Sequence, residues 1–313
     1  MKIVFMGTPA FAVPSLRALK EAGHEIVLVV TQPDKRGNRG KVIPSPVKQL
    51  ATEYGLEVAQ PISIRKDEEF MSSLEALEPD IIVVAAFGQI LPERVLNIPK
   101  YDCINVHGSL LPQLRGASPM QNAILLGLEE TGITIMKMAK GLDTGDMISK
   151  AGLPIDGMDI TELSEKLAEL GAELLVKTIP SIEDGTAVYE VQNDEESSYA
   201  KMINKHDGMT DFNEPADVIE RKIRAYSEWP ALYSYLDGQQ VKFYKAEVTG
   251  EKSDSEPGTV TDITKNSYSI NCSDFKLKII EQQLQGKKRM SAGDFMRGHK
   301  LSDTDRFKME EEK

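Results

Sequence analysis

The sequence predicts an α/β chain of two domains, a Rossmann-like parallel sheet followed by a small OB-like β-barrel. Three observations carry that prediction. Residues 1–189 alternate short apolar runs, Ile3-Val-Phe-Met, Ile26-Val-Leu-Val-Val and Asp80-Ile-Ile-Val-Val-Ala-Ala, with helical stretches, as parallel strands covered on both faces do. Residues 206–313 change texture to several short strands separated by turns, which suits a small barrel. A length of 313 residues at 41% hydrophobic content is long for one core and comfortable for two. The expected division is 1–189, a linker at 190–205, and 206–313.

Taken in order, residues 2–6 read as a strand, Gly7-Thr8-Pro9 as a tight turn and 14–21 as a helix ended at Gly23, the opening of a βαβ unit. The turn lacks G-x-G-x-x-G, so no dinucleotide is implied. After the second strand, Lys35 to Lys41 is rich in Gly and Arg without apolar periodicity, and Pro44 and Pro46 close it off: a flexible basic loop. A helix over 46–54, a short strand from Val58, a helix over 67–77 and a buried strand from Asp80 follow. Phe87-Gly-Gln-Ile-Leu-Pro then emerges at a strand's carboxyl end, where open α/β sheets bind ligands. Residues 120–126 read as a helix, 132–138 as a strand and 146–155 as a pair of strands. Thr161 is the expected cap of a long helix with a core stripe at Leu163, Leu167, Leu170 and Leu174. Gly185 and the polar run 192–198 mark the linker, with few apolar anchors.

In the second domain a helix over 214–226 carries Ile219, Ile223 and Tyr226 on one stripe. Strands follow at 232–236, 241–248, 258–263, 268–272 and 276–281, the first two joined by the hairpin signal Asp237-Gly238. Ser291 with Asp294 caps a short final helix, and the charged tail after Asp303 is expected to fray.

A formal charge of -12 argues against a protein that coats nucleic acid indiscriminately, but it leaves room for local basic faces. Two stand out: Lys35, Arg36, Arg39 and Lys41, and Lys287, Lys288 and Arg289 with Arg297, His299 and Lys300 nearby. A charge run is usually only a solvated surface. Cys103 and Cys272 form neither a CxxC pair nor a metal-ligand cluster, so no disulfide framework or metal site is indicated. The chain enters its first strand directly and has no apolar run able to span a bilayer, so a cytoplasmic protein without a membrane segment is expected.

The stretch with chemical content is 103–119. Strand alternation puts Cys103, Asn105 and His107 on one face, and Gly108 stops the strand just after the imidazole. A lone histidine at a strand end is more often structural than catalytic. Asn105 shifts the balance, because an amide facing the same space can donate to a developing oxyanion. A carboxylate partner is available at Gly141-Leu-Asp143-Thr-Gly145, although an Asx-turn would explain Asp143 equally well.

His107-Gly-Ser-Leu-Leu-Pro followed by Arg115-Gly and Pro119, then Gly132-Ile-Thr-Ile-Met-Lys-Met and Leu142-Asp-Thr-Gly, resembles the formyltetrahydrofolate-dependent formyltransferase family. The resemblance implies transfer of a formyl group from 10-formyltetrahydrofolate to an amine, without a metal. It assigns the formyl oxygen to Asn105 and His107, and to Asp143 the tasks of orienting the imidazole, raising its pKa and relaying the amine's proton. It places Ser109, Leu110, Leu111 and Pro112 at the folate site and Phe87, Gln89, Ile90 and Leu91 around the pterin. Phe5-Met-Gly-Thr-Pro, Thr31-Gln-Pro-Asp, Pro44-Ser-Pro-Val-Lys and Ala200-Lys-Met-Ile-Asn-Lys-His-Asp-Gly-Met extend it to the branch acting on methionine esterified to initiator tRNA. The tRNA would be met by Arg36, Arg39 and Lys41 and by Lys287, Lys288 and Arg289, with the enzyme acting as a monomer. For Arg115, a structural ion pair and a substrate contact remain open. Among competing readings, a glycinamide ribonucleotide formyltransferase needs neither barrel nor basic loop, and a formyltetrahydrofolate hydrolase shares the scaffold. A non-enzymatic RNA-binding protein gives no reason for Asn105, His107 and Asp143 to fall in these motifs.

Overall fold

The computed structural model of the chain describes residues 1–36 and 42–309. Its contacts divide into two units. Met1–Pro119, Glu130–Pro154 and Ser164–Ala200 form the first; Met120–Glu129, Ile155–Leu163 and Lys201 onward form the second. Among the described residues, no helix is long and apolar enough to cross a membrane.

The chain runs through β1 (Lys2–Gly7), α1 (Val13–Glu21), β2 (Glu25–Val30), a hairpin of β3 (Lys35–Arg36) and β4 (Val42–Ile43), α2 (Pro46–Glu53), β5 (Val58–Ala59), α3 (Glu68–Ala76), β6 (Ile81–Ala85), α4 (Glu93–Leu96), β7 (Cys103–His107), β8 (Arg115–Gly116), α5 (Pro119–Leu125), β9 (Glu130–Lys137), β10 (Met147–Pro154), α6 (Ile160–Glu183) and β11 (Tyr199–Ala200). Seven strands form one sheet in the order β10-β9-β7-β6-β1-β2-β5. It is parallel from β5 to β7, as the uniformly apolar strands predict, and antiparallel at β9 and β10. The order reverses between β1 and β6, the position at which such sheets take their ligands. Ile3 to Met6 and Ile81 to Ala85 are buried on both faces. At Gly7 an added Cβ would lie 2.9 Å from the Ala85 carbonyl oxygen, so β1 ends where only glycine fits.

Polar side chains tie the loops at the carboxyl edge together. Thr8 Oγ1 and Gln32 Nε2 both donate to the Phe87 carbonyl at 3.2 Å, and Gln32 N donates to Thr8 Oγ1 at 3.1 Å. Three expectations change. Residues 147–154 are one strand rather than two: the whole run pairs with β9, with Gly152 opposite Gly132, where the backbones approach too closely for an added Cβ at Gly132. Asp159, not Thr161, caps α6, accepting from the backbone N–H of Thr161 and Glu162 at 2.9 and 3.1 Å. The run 192–198 is not loose chain: Gln192 is buried, and just beyond it β11 pairs with β8, where Ala200 is buried too.

The second unit comprises α7 (Ala216–Ala225), β12 (Leu232–Leu236), β13 (Gln239–Lys252), β14 (Val260–Thr261), β15 (Tyr268–Asn271), β16 (Phe275–Leu284), β17 (Met290–Ser291) and α8 (Ala292–Gly298). The order β12-β13-β16-β15-β14, with β17 on β16, makes an antiparallel sheet curled into a small barrel. Asp237 and Gly238 both have positive φ, 49° and 73°, as a tight two-residue hairpin requires. The tail does not fray where it was expected to: residues 305–308 bridge the sheet's two edges, Arg306 to Thr259 beside β14 and Lys308 to Tyr235 of β12. Phe307 is driven inward to join Phe212, Phe243 and Tyr268 in an aromatic core, with its ring 5.3 Å from that of Phe243.

Candidate active site

β7 delivers Cys103, Asn105 and His107 to one face by simple alternation. Cys103 sits in the apolar core, where burial pushes its thiol far above the ordinary range and removes it as a nucleophile. Asn105 is half-buried, and its carboxamide has no hydrogen-bond partner among the described residues. His107 is 5% exposed. Its Nε2 lies 3.1 Å from the Leu114 carbonyl oxygen, which can only accept, so Nε2 carries the proton and Nδ1 presents its lone pair. Nδ1 faces Asp143 Oδ1 at 3.7 Å, longer than a hydrogen bond and an ion pair only when the ring is protonated.

Burial drives the His107 pKa below its ordinary value. The Asp143 carboxylate and the Leu114 carbonyl pull the other way without offsetting it. The imidazole is therefore neutral at neutral pH. Asp143 acts to raise the pKa as expected, although burial makes the net shift downward; one expectation is corrected, because the hydrogen bond on the ring is the one that Nε2 donates to the Leu114 carbonyl rather than one to Asp143. The N–H assigned to the formyl oxygen is also committed to that carbonyl, which leaves Asn105 as the open donor.

The loop that supplies Leu114 is fixed by its own polar groups. Ser109 Oγ donates to Gln113 O at 2.6 Å, while Thr134 Oγ1 donates to Ser109 O at 2.7 Å and accepts from Leu111 N at 3.0 Å. Asp143 has a left-handed backbone, φ 52°, and its Oδ2 accepts from Gly116 N at 2.9 Å. Arg115 Nε donates to Gln192 Oε1 at 2.8 Å, and its Nη2 lies 2.8 Å from Asp194 Oδ1, close in charge but off the hydrogen-bond direction. Of the two roles open for Arg115, the ion pair is the one the structure displays. Gln192 in turn donates to the carbonyls of Asp143 and Gly145, at 2.8 and 2.7 Å. Nothing in the sequence singled out Gln192, which reads as part of a polar linker.

The formyl transferase profile matches residues 1–179, and that of the formyl transferase C-terminal domain matches 202–300. The chain belongs to this family. Methionyl-tRNA formyltransferase from Caldanaerobacter subterraneus subsp. tengcongensis is 46% identical over 303 residues, spanning 96% of this chain and 98% of the relative. The protein of the same name from Agathobacter rectalis is 48% identical over 301 residues, 95% and 96% of the two chains. Among solved structures, the N-formyltransferase from Helicobacter canadensis, in complex with folinic acid and dTDP-3-aminofucose, superposes with a TM-score of 0.69 at 23% identity. It covers 89% of this chain and 98% of its own, a likeness of fold.

Of the residues that the formyl transferase resemblance places at the donor, Ser109, Leu111, Phe87 and Leu91 are buried in the protein, Leu110 and Pro112 are half-buried, and Ile90 is exposed. Gln89 is occupied elsewhere: it accepts from Ile64 N at 2.9 Å and donates to Pro61 O at 3.0 Å, pinning the segment before α3. Among the basic residues, Arg39, Lys41 and the side chain of Arg36 lie outside the described residues. Lys287 and Lys288 stand exposed on the turn between β16 and β17. Arg289 sits over Tyr244, its guanidinium carbon 3.8 Å from the ring centre, with Nε 3.2 Å from Glu281, so its charge is partly spent within the barrel. No three His, Cys, Asp or Glu residues among those described are grouped to hold a metal.

Proposed function

We propose that this formyltransferase moves the formyl group of 10-formyltetrahydrofolate to the α-amino nitrogen of methionine esterified to initiator tRNA. The observation that carries the chemistry is His107 with Nε2 on the Leu114 carbonyl and Nδ1 facing Asp143, beside an Asn105 amide on the same strand face that has no hydrogen-bond partner among the described residues. The amine is its own nucleophile, so no activated Ser or Cys is needed. As its nitrogen bonds the formyl carbon, the formyl oxygen gains charge and Asn105 donates to it. His107 Nδ1 takes the amine's proton, Asp143 stabilises the imidazolium, and the proton passes to N10 of folate as the C–N10 bond breaks. Proton and formyl group are both conserved.

The acceptor rests on end-to-end similarity to relatives bearing the methionyl-tRNA formyltransferase name. Lys287 and Lys288 would meet phosphates on the barrel, and the Arg36, Arg39 and Lys41 loop would approach the acceptor end. The same reading makes the enzyme a cytoplasmic monomer, and two buried, unpaired cysteines suit a reducing compartment. The test is labelled 10-formyltetrahydrofolate offered with methionyl initiator tRNA, with glycinamide ribonucleotide, or with neither. Label should reach the tRNA; label found only on the ribonucleotide, or released only as formate, would overturn the proposal.

A further inference from the structure

The segment that follows α6 carries an inference that rests on the catalytic reading of His107 and Asp143. Gln192 is 7% exposed, and every polar group of its carboxamide is committed. Both N–H groups go to one turn, to Asp143 O at 2.8 Å and Gly145 O at 2.7 Å, and the oxygen accepts from Arg115 Nε at 2.8 Å. Arg115 precedes Gly116, whose N–H holds the Asp143 carboxylate. One side chain therefore couples the backbone of the turn to the strand that grips its carboxylate. The same segment also sets the histidine's partner: Ser198 Oγ accepts from Leu114 N and Ser198 O from Arg115 N, each at 2.9 Å, and the Leu114 carbonyl holds His107 Nε2.

We propose that Gln192 is a positioning residue, which holds the Asp143 carboxylate against His107 Nδ1. The turn needs such a clamp. Asp143 occupies the left-handed region between Gly141 and Gly145, where an unpinned backbone has many alternatives. Its carboxylate faces the Nδ1 lone pair of a neutral imidazole, with neither a hydrogen bond nor an opposite charge between them, so nothing in the pair itself fixes the 3.7 Å separation. Glutamine alone offers two donors and an acceptor at this reach. Glutamate, of the same shape, would turn an oxygen toward two carbonyl oxygens and break both bonds.

The experiment compares the full-length enzyme with Gln192→Glu, Asp143→Ala and the double variant in single-turnover formyl transfer. Gln192→Glu should slow the chemical step by at least about tenfold while KM for both substrates changes by less than about twofold. In Gln192→Met, which adds no charge, the acid limb of kcat should move to lower pH, because a carboxylate that drifts away no longer raises the His107 pKa. In the Asp143→Ala background the same change should cost nothing further. Should Gln192→Glu fail to fold, Gln192→Met keeps the length without the polar bonds and reads the same quantities. A normal rate and pH profile in the Gln192 variant, with Asp143→Ala slow, would overturn the clamp and leave the site assignment standing. An equal additional loss in the double variant would also overturn it, by assigning Gln192 to general folding. Near-normal turnover in Asp143→Ala would instead remove the catalytic reading on which the clamp depends.

Discussion

At His107 a neutral ring is held by a carbonyl on one nitrogen and faces a carboxylate with the other, and each arm has its own consequence. Loss of the proton carrier or of its charge partner should strike the chemistry: His107→Ala and Asp143→Ala are each expected to slow transfer by at least about 100-fold with folate affinity retained. Asn105→Ala should raise the barrier by about 2.7 to 4 kcal/mol if its amide meets the formyl oxygen; weaker folate binding with a normal chemical step would assign it elsewhere. Burial supplies the second consequence. Because the folded state lowers the His107 pKa, below about pH 6.5 the unfolded chain takes up a proton that the folded chain resists. The stabilisation from a neutral His107 is complete above that pH and fades as the pH falls below it. The melting temperature of the native chain should thus drop more between about pH 7.5 and 5.5 than that of His107→Gln, and parallel curves would mean that burial does not govern the group. The placement of Asn105 and His107 on one face of β7 was legible in the sequence because strand alternation is a local signal, and the flanking glycines pointed to the turn that brings Asp143 to His107. Leu114 and Gln192 were not legible, since both act on the site through carbonyl contacts, which side-chain identity does not encode.

Among the elements, Asp34, Lys48 and Gln60 are tied together by side chains, the first two in motifs that had shown only family likeness. Asp34 at the start of the basic loop and Lys48 on α2 lie 2.5 Å apart, and Gln60 joins them, accepting from Lys48 Nζ at 2.6 Å and donating to Asp34 Oδ1 at 2.9 Å. The Lys48 ammonium holds the Asp34 carboxyl below the usual carboxylate range, with Gln60 assisting. Both side chains keep some contact with solvent, so the pair contributes little to overall stability. Lys48→Met should raise KM for methionyl-tRNA by about threefold or more with folate binding and melting temperature unchanged; an unchanged KM would detach this network from tRNA recognition. Arg39 is the sharper probe of the loop itself. Arg39→Ala is expected to lower kcat/KM for tRNA by more than about tenfold, and full activity in Arg39→Lys would reduce the loop to diffuse charge. Most elements could be read because apolar runs and stripes report burial directly, as β1, β6 and α7 show. Misreadings fell where one residue type serves two purposes: Gly152 lies opposite Gly132 inside one continuous strand where a pair of strands was expected, and polar 192–198 docks where a linker was expected.

At the scale of the whole molecule, the barrel depends on the charged tail that its sequence seemed to leave free. Val260 N donates to Asp305 O at 2.9 Å, Phe307 N to Gly258 O at 2.8 Å, and Tyr235 and Lys308 exchange both backbone bonds at 2.9 and 3.0 Å. Residues 305–308 thus satisfy both edges of the sheet, and without them two rows of backbone groups would be left to water or to another chain. Gly258 is part of the same closure, since an added Cβ there would lie 2.3 Å from Phe307 O. A single phenylalanine among charges is too faint a pattern to announce a strand, but alternation sends Phe307 to the aromatic core while its charged neighbours face outward. Phe307→Ala should cost about 3 to 5 kcal/mol of barrel stability, the range for an aromatic side chain lost from a packed core. Deleting 304–313 should cost more, lower the barrel's melting transition and weaken tRNA binding. Folate binding should survive, because the residues proposed for the donor belong to the first unit. Deleting only 310–313 is the control, which removes chain beyond the bridging strand and should leave both melting and tRNA binding unchanged. A 304–313 deletion that melts like the intact chain would show that the sheet holds its curvature without this strand, and the tail would have to be explained as decoration on a barrel already complete.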